Sequence, residues 1–176
     1  MNRSTRLLLI LAALVLISQP LRAQNVDLTD NRTVEQQLER TTFLFTYVWA
    51  GLISYAESVG QTPEQVAEWI GEYGGPTWGE PGSRTLSSFV TGMFRNYNLW
   101  PSLEFEVLQE TETEIQGRMN IPYAGYFGET GERYGVTLGD FQTLLFGGYE
   151  NIADYLGFDM THEVSGDWVD FTVRTR

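Results

Sequence analysis

The sequence predicts one α+β domain, in the order three helices, two strands, a helix and two strands (ααα-ββ-α-ββ). Three observations predict it. Apolar residues recur at helical spacing over the first half of the chain and again near residue 145; they alternate at strand spacing in two separate hairpins; no internal repeat or linker divides residues 24–176. That order implies a four-stranded antiparallel sheet packed on helices.

The chain opens with Arg3 and Arg6, then the apolar run Leu7–Ile17, then Ser18–Gln19–Pro20 and Leu21–Arg22–Ala23. This is the charged, apolar and small-residue order of a secretory signal, and cleavage is expected after Ala23. Eleven apolar residues are about half of the roughly 20 needed to span a bilayer. The expected product is a periplasmic or extracellular chain of residues 24–176 with no stable membrane span. Asn31–Arg32–Thr33 is a glycosylation sequon, which matters only in a eukaryotic host.

Each element has its own signature. Thr33 with Gln36 forms a capping box, and Val34, Leu38, Thr41, Phe45, Val48, Leu52, Tyr55 and Val59 follow in alternating steps of four and three. Phe43–Phe45 and Tyr47–Trp49 make the middle of this helix apolar all round, so central burial is expected, with Gly60 as the stop. Thr62, Pro63 and Gln65 open a second helix through Val66, Trp69 and Ile70 to Tyr73, and Gly74–Gly75–Pro76 is expected to end it. A third helix carries Leu86, Phe89, Val90, Met93, Phe94 and Tyr97 on one face, and Pro101 bars its extension. Leu103, Phe105 and Val107 alternate with Glu104 and Glu106 as a half-buried strand, a turn falls at Glu110–Thr113, and Glu114–Met119 returns. Asn120–Gly135 is irregular and rich in Gly and Tyr. Thr137 and Asp140 cap a fourth helix bearing Phe141, Leu144, Leu145, Ile152, Tyr155 and Leu156, with Gly157 as its stop. Asp159–Val164 and Trp168–Arg174 close the chain as a hairpin.

Composition excludes several functions. The 11 basic residues are all Arg, against 23 acidic ones, for a net charge of −12, and there is no Cys. Such a surface repels phosphate backbones, so no nucleic acid is expected as a partner. Without Lys there is no Schiff base or P-loop lysine; without Cys there is no disulfide, thiolate nucleophile or lipoprotein anchor.

Candidate chemistry is sparse. Gly60–Ala67 looks like the turn of a helix-turn-helix, but the second helix carries Glu64, Glu68 and Glu72 and no Arg, which suits an ordinary helical hairpin. Glu104, Glu106, Glu110, Glu112 and Glu114 lack the sharp glycine turn of a hard-cation loop and read as a solvated face. His162 is the only histidine, too few for a zinc site, and with no nucleophile it forms no triad. It shares a strand face with Met160 and Val164, which suits structure. No catalytic residue, metal or cofactor is assigned on these grounds.

Aromatic content says more. Trp49, Tyr55, Trp69, Tyr73 and Trp78 gather around the first helical hairpin, and Tyr123, Tyr126, Phe127 and Tyr134 crowd the irregular stretch. Tyr and Trp combine an apolar body with a polar tip and suit pocket walls. Gly147–Gly148 inside the fourth helix costs roughly 1 kcal/mol per glycine against Ala, which implies close approach of a ligand, a neighbouring backbone or the sheet.

Ile121-Pro-Tyr-Ala-Gly-Tyr-Phe-Gly-Glu-Thr-Gly131, a helix ending Tyr155-Leu-Gly-Phe158, and Gly166-Asp-Trp-Val-Asp-Phe-Thr-Val173 together resemble the aminothiazoline-carboxylate hydrolase-like and 4-vinyl reductase-like domains, relatives of TRAPP-type tethering subunits. The resemblance covers about the last 75 residues. That group has a Cys-Pro segment before the helix and a closing Gly-Asp-x-x-Cys-x-Phe pattern. Here Ile121 stands at the first Cys and Val169 or Asp170 at the second, so thiol- or metal-dependent activity does not carry over. The resemblance implies helices over an antiparallel sheet, an apolar pocket near Pro122–Phe127, the Phe141–Tyr149 helix face and the first helix, and frequent pairing as a dimer.

The leading expectation is an exported, non-enzymatic domain holding a small apolar or aromatic molecule between helices and sheet. Its wall is expected to include Trp49, Tyr123, Tyr126, Phe127, Phe141, Leu145, Gly148 and Tyr149. It requires a cavity of roughly 300 Å3 or more. The alternatives are a carboxylate-dependent hydrolase using Glu129, Arg133 and Arg118, and an envelope protein forming a homodimer through its first helix or an edge strand.

Overall fold

The structure is a computed structural model describing residues 32–176; the expected signal segment and Asn31 lie outside the described residues. Helix α1 (Val34–Ser58) starts at the Thr33–Gln36 capping box. Its orientation overturns the expectation of central burial. The buried positions are Thr42, Thr46, Ala50, Ile53 and Ala56, whereas Val48 is 70% and Tyr55 67% exposed. Small residues bring the α1 backbone close to its neighbours, and the threonines are buried without loss of hydrogen bonds. Thr42 donates to the Leu38 carbonyl at 2.8 Å and Thr46 to the Thr42 carbonyl at 3.0 Å.

Helix α2 (Pro63–Trp78) opens on the expected Thr62–Gln65 box but runs through Gly74–Gly75–Pro76. It stops only where Gly79 adopts φ +126°. The glycines read as terminators are contact surface instead. A Cβ on Gly71 would lie 2.2 Å from the Asn151 Cβ, and one on Gly75 2.8 Å from the Tyr155 ring. Asn151 and Tyr155 belong to α4 (Leu138–Leu156), which answers with Gly147 against Ala67 and Gly148 against Ile70. The costly helical glycines thus serve helix–helix contact with α2.

Helix α3 (Leu86–Tyr97) buries Leu86, Phe89, Val90, Met93 and Tyr97, and its Gly92 makes room for the Trp78 ring. Strands β1 (Phe105–Glu110) and β2 (Glu114–Asn120) form the first hairpin, with a bulge after Val107. The bulge ends the expected alternation of β1: Val107 and Leu108 are both exposed. The irregular stretch contains a 3-10 turn (Ala124–Phe127) and a minimal hairpin of β3 (Glu132–Arg133) and β4 (Val136–Thr137). Its turn places Tyr134 and Gly135 at φ +57° and +79°. Two successive left-handed residues make a tight hairpin turn, normally signalled by Asn-Gly; with Tyr in the first place the sequence hides it. Strands β5 (Phe158–Ser165) and β6 (Trp168–Thr175) close the fold.

The main sheet has the order β1-β2-β6-β5 and is antiparallel throughout. The chain is thus the mixed α+β fold read from the sequence. Pairing of β2 with β6 sets Ile115, Gly117 and Met119 opposite Val173, Phe171 and Val169 on the inner face. Gly117 is required there, because a Cβ would sit 2.4 Å from the Phe171 ring. Helices α3 and α4 lie on this face and α2 packs on α4. The outer face is polar, where Arg118 pairs with Glu106 at 2.8 Å and Arg174 with Glu114.

The α2–α4 contact makes a test. Gly71→Ala is expected to destabilise by about 1–3 kcal/mol through overpacking. Gly74→Ala, whose Cβ would have neighbours at 3.8 and 3.9 Å, is expected to gain up to about 1 kcal/mol from helix propensity. Urea midpoints at unchanged slope check both; equal effects of the two would contradict this role for Gly71.

Candidate functional site

A cavity of about 360 Å3, partly open to solvent, lies among the four helices. Phe45 and Trp49 of α1 form one wall, and Ile70, Gly74 and Trp78 of α2 another. The end of α3 and the turn after it supply Asn96, Tyr97, Leu99 and Trp100; α4 supplies Leu144, Leu145, Gly148, Tyr149 and Ile152. None of these residues carries a charge at neutral pH. Six of the rings form a chain around the space, from Trp49 through Phe45, Trp100, Tyr97 and Tyr149 to Trp78, with successive centroids 5.2–5.9 Å apart. Trp78 is fixed by the slot at Gly92 and by Arg84, which donates to the Trp78 carbonyl and lies over its ring.

Behind the wall the polar groups are short of partners. The Tyr97 and Tyr123 hydroxyls, Trp100 Nε1 and Gln142 Nε2 are buried without a hydrogen bond of normal geometry. Burial raises the phenols of Tyr97, Tyr123 and Tyr149, and at Tyr97 the nearby Tyr149 and Tyr123 add to the rise. Tyr149 is pushed up to about 12 by burial, with Asn96 offsetting part of the rise. At Tyr123 the adjacent Gln142 amide, a loose contact without hydrogen-bond geometry, offsets only part of the rise. The arrangement suits retention of a neutral molecule: apolar walls on most sides, Asn96 exposed at the rim, and no carboxylate, imidazole or guanidinium in the lining.

Four of the residues expected from the sequence, Trp49, Leu145, Gly148 and Tyr149, line this cavity. The other four do not. Tyr123, Phe127 and Phe141 are fully buried in a cluster behind Trp100, with Tyr123 5.3 Å from Trp100, and Phe141 5.3 Å from Tyr123 and 5.1 Å from Phe127. Tyr126 lies outside the cavity, edge-on to Phe43 at 6.0 Å. The sequence reading missed Tyr97 and the Asn98–Trp100 turn; the signal was the pair Leu99–Trp100 held short of Pro101, apolar residues left over after the α3 face was filled. Trp69 and Tyr73 stack on each other at 5.2 Å on the outside of α2.

The other candidates occupy separate places. Arg133 donates twice to the Tyr126 carbonyl and covers the Tyr47 ring, whereas Arg118 is on the outer sheet face between Glu106 and Trp168. Glu129 is exposed in a third place. His162 stacks on Phe146 at 4.9 Å, with its Nδ1 2.7 Å from Glu150 Oε1. Of the glutamate run, Glu114 is held below its usual carboxylate range by Arg174, with Gln116 helping. Among the described residues no group of three or more His, Cys, Asp or Glu could hold a metal ion, and no helix is long and apolar enough to cross a membrane. Fold and cavity together define an α+β domain with an aromatic-walled pocket among its helices. No family model, curated protein or solved structure matches the chain.

The phenols give a pH prediction. Tyr97, Tyr123 and Tyr149 hold their protons more tightly folded than unfolded, where a phenol titrates near pH 10. Their contribution to stability is therefore whole below about pH 10 and is lost as pH rises through the raised folded values. Phenolate absorbance is expected to show these three unionised at about pH 11 while near-ultraviolet dichroism stays native, then released together on unfolding. Ionisation of all nine tyrosines near pH 10 with native dichroism would contradict it.

Proposed function

We propose that this chain is an exported binding domain that holds a small, uncharged, largely apolar or aromatic molecule among α1, α2, α4 and the end of α3, without covalent chemistry. The observation that carries the reading is the 360 Å3 cavity enclosed by a chain of six aromatic rings. Its volume is in the range of small-molecule sites, about 300–1,000 Å3. The lining supports the ligand's class: rings and aliphatic groups accept an apolar body, and Asn96 at the rim offers one polar contact. A charged ligand would meet no counter-charge there and would pay its desolvation unaided. The export step rests on the charged and apolar order of residues 1–23.

Melting temperature in the presence of indole, naphthol, decanol and decanoate tests it. At a hundredfold excess over Kd a bound ligand stabilises by about 2.7 kcal/mol, so a rise of several degrees is expected for a neutral member and a smaller one for decanoate. Gly74→Leu would extend its side chain into the cavity from a backbone position with room for a Cβ. The variant is expected to stay folded and lose the shift. Absence of a shift with every probe, or a shift that survives Gly74→Leu, would overturn the proposal.

A further inference from the structure

We propose that the outward face of α1 is a self-association surface whose occupant is the same face of a second copy of this chain. The spacing comes first. Positions 34, 38, 41, 45, 48, 52, 55 and 59 are apolar in seven of eight cases, Thr41 being the exception, and they form two series with a seven-residue repeat, 34/41/48/55 and 38/45/52/59. A straight helix drifts about 20° per heptad from that repeat, so such a stripe stays in contact only with another helix that coils around it. The domain uses only Phe45 of this stripe, at the cavity wall, and leaves most of the rest outside. Val34 is 82% exposed, Val48 70%, Tyr55 67% and Val59 58%. The inner face of α1 is the Thr42, Thr46, Ala50, Ile53 and Ala56 series. A further side is taken by the irregular stretch, where Ser54 donates to the Tyr134 carbonyl at 2.9 Å and Tyr47 packs on Tyr134 at 5.5 Å. The third side is presented outward from a helix fixed on the other two.

Charge selects the occupant. From Thr41 to Ala56 α1 carries no charge, in a chain of net charge −12. Two such acidic copies repel over most of their surfaces and approach at least cost along an uncharged seam. An anionic lipid surface repels the same chain, and helices that lie on membranes carry Lys and Arg on their polar face, whereas α1 has Arg40 alone. Size agrees. Twenty-five residues make a helix of about 37 Å. A seam of that length is long enough for an interface of standard size, to which each partner gives about 800 Å2.

Sedimentation equilibrium of the protein is expected to give twice the chain mass in the micromolar range. Val48→Glu and Tyr55→Glu, both at exposed positions, are expected to give a single-chain mass with an unchanged melting curve. Val107→Glu, at an exposed apolar position on the β1 edge, is expected to remain paired. Because the chain has no Cys, Val48→Cys carries one thiol, and oxidation is expected to yield a cross-linked pair. The proposal is overturned by a single-chain mass for the unaltered protein, by a pair that survives both α1 variants, or by a pair that Val107→Glu dissolves. A single-chain species that cosediments with phosphatidylcholine vesicles unless Val48 is changed would overturn it in favour of a lipid surface.

Discussion

The close approach of α2 and α4 governs the rest of the structure. Side chains normally hold two helix axes 8–10 Å apart; here glycine replaces a side chain at the contact points, with Gly71 and Gly75 on one helix and Gly147 and Gly148 on the other. Glycine also sets the shape of the cavity. Gly74 and Gly148 are in its wall, where larger residues would occupy the space that Phe45, Trp49 and the Tyr97–Trp100 segment enclose. Cavity volume and helix contact meet at Gly148, which serves both, so a change there that loosens the contact also redraws the pocket.

The remaining helices are positioned by this pair. Because α4 lies on the sheet and α2 on α4, α3 fills the sheet face beside α4, with Phe89 against both Trp78 and Phe158. Tyr97 then joins the layers through ring contacts to Phe146, Tyr149 and Trp100. Burying a phenol and an indole without partners has a cost, offset here by aromatic packing on several sides.

Much of the fold was legible because its signals are local. The Thr33, Thr62 and Thr137 boxes and Gly157 mark helix ends through hydrogen bonds within one turn, and strand alternation marks β2 and β6 through burial of every second residue. What was misread depended on distant partners. Gly74–Gly75–Pro76 has the composition of a helix stop, and only the presence of Asn151 and Tyr155 across the contact makes it helix interior. The middle of α1 reads as apolar all round and hence centrally buried, yet burial went to Ile53 and to threonines and alanines that allow closer packing. Half of the expected pocket wall was legible for a related reason. Aromatic crowding does not distinguish a ring that lines a space from one that fills it, and Tyr123, Phe127 and Phe141 fill it.

The polar face of the sheet shows how an acidic chain without lysine distributes its few cations. Arg118 and Arg174 each pair with one carboxylate on a neighbouring strand, Glu106 and Glu114, while Arg176 bridges Asp154 of α4 and Asp159 of β5, where a planar fork serves better than a point charge. The five tryptophans are distributed with equal economy. Trp168 lies under Arg118 on that outer face and Trp69 on the exposed side of α2, while Trp49, Trp78 and Trp100 stand on three sides of the cavity. Three of the five indoles therefore stand at the pocket wall, so a change of environment there falls on the majority of the protein's indole fluorophores.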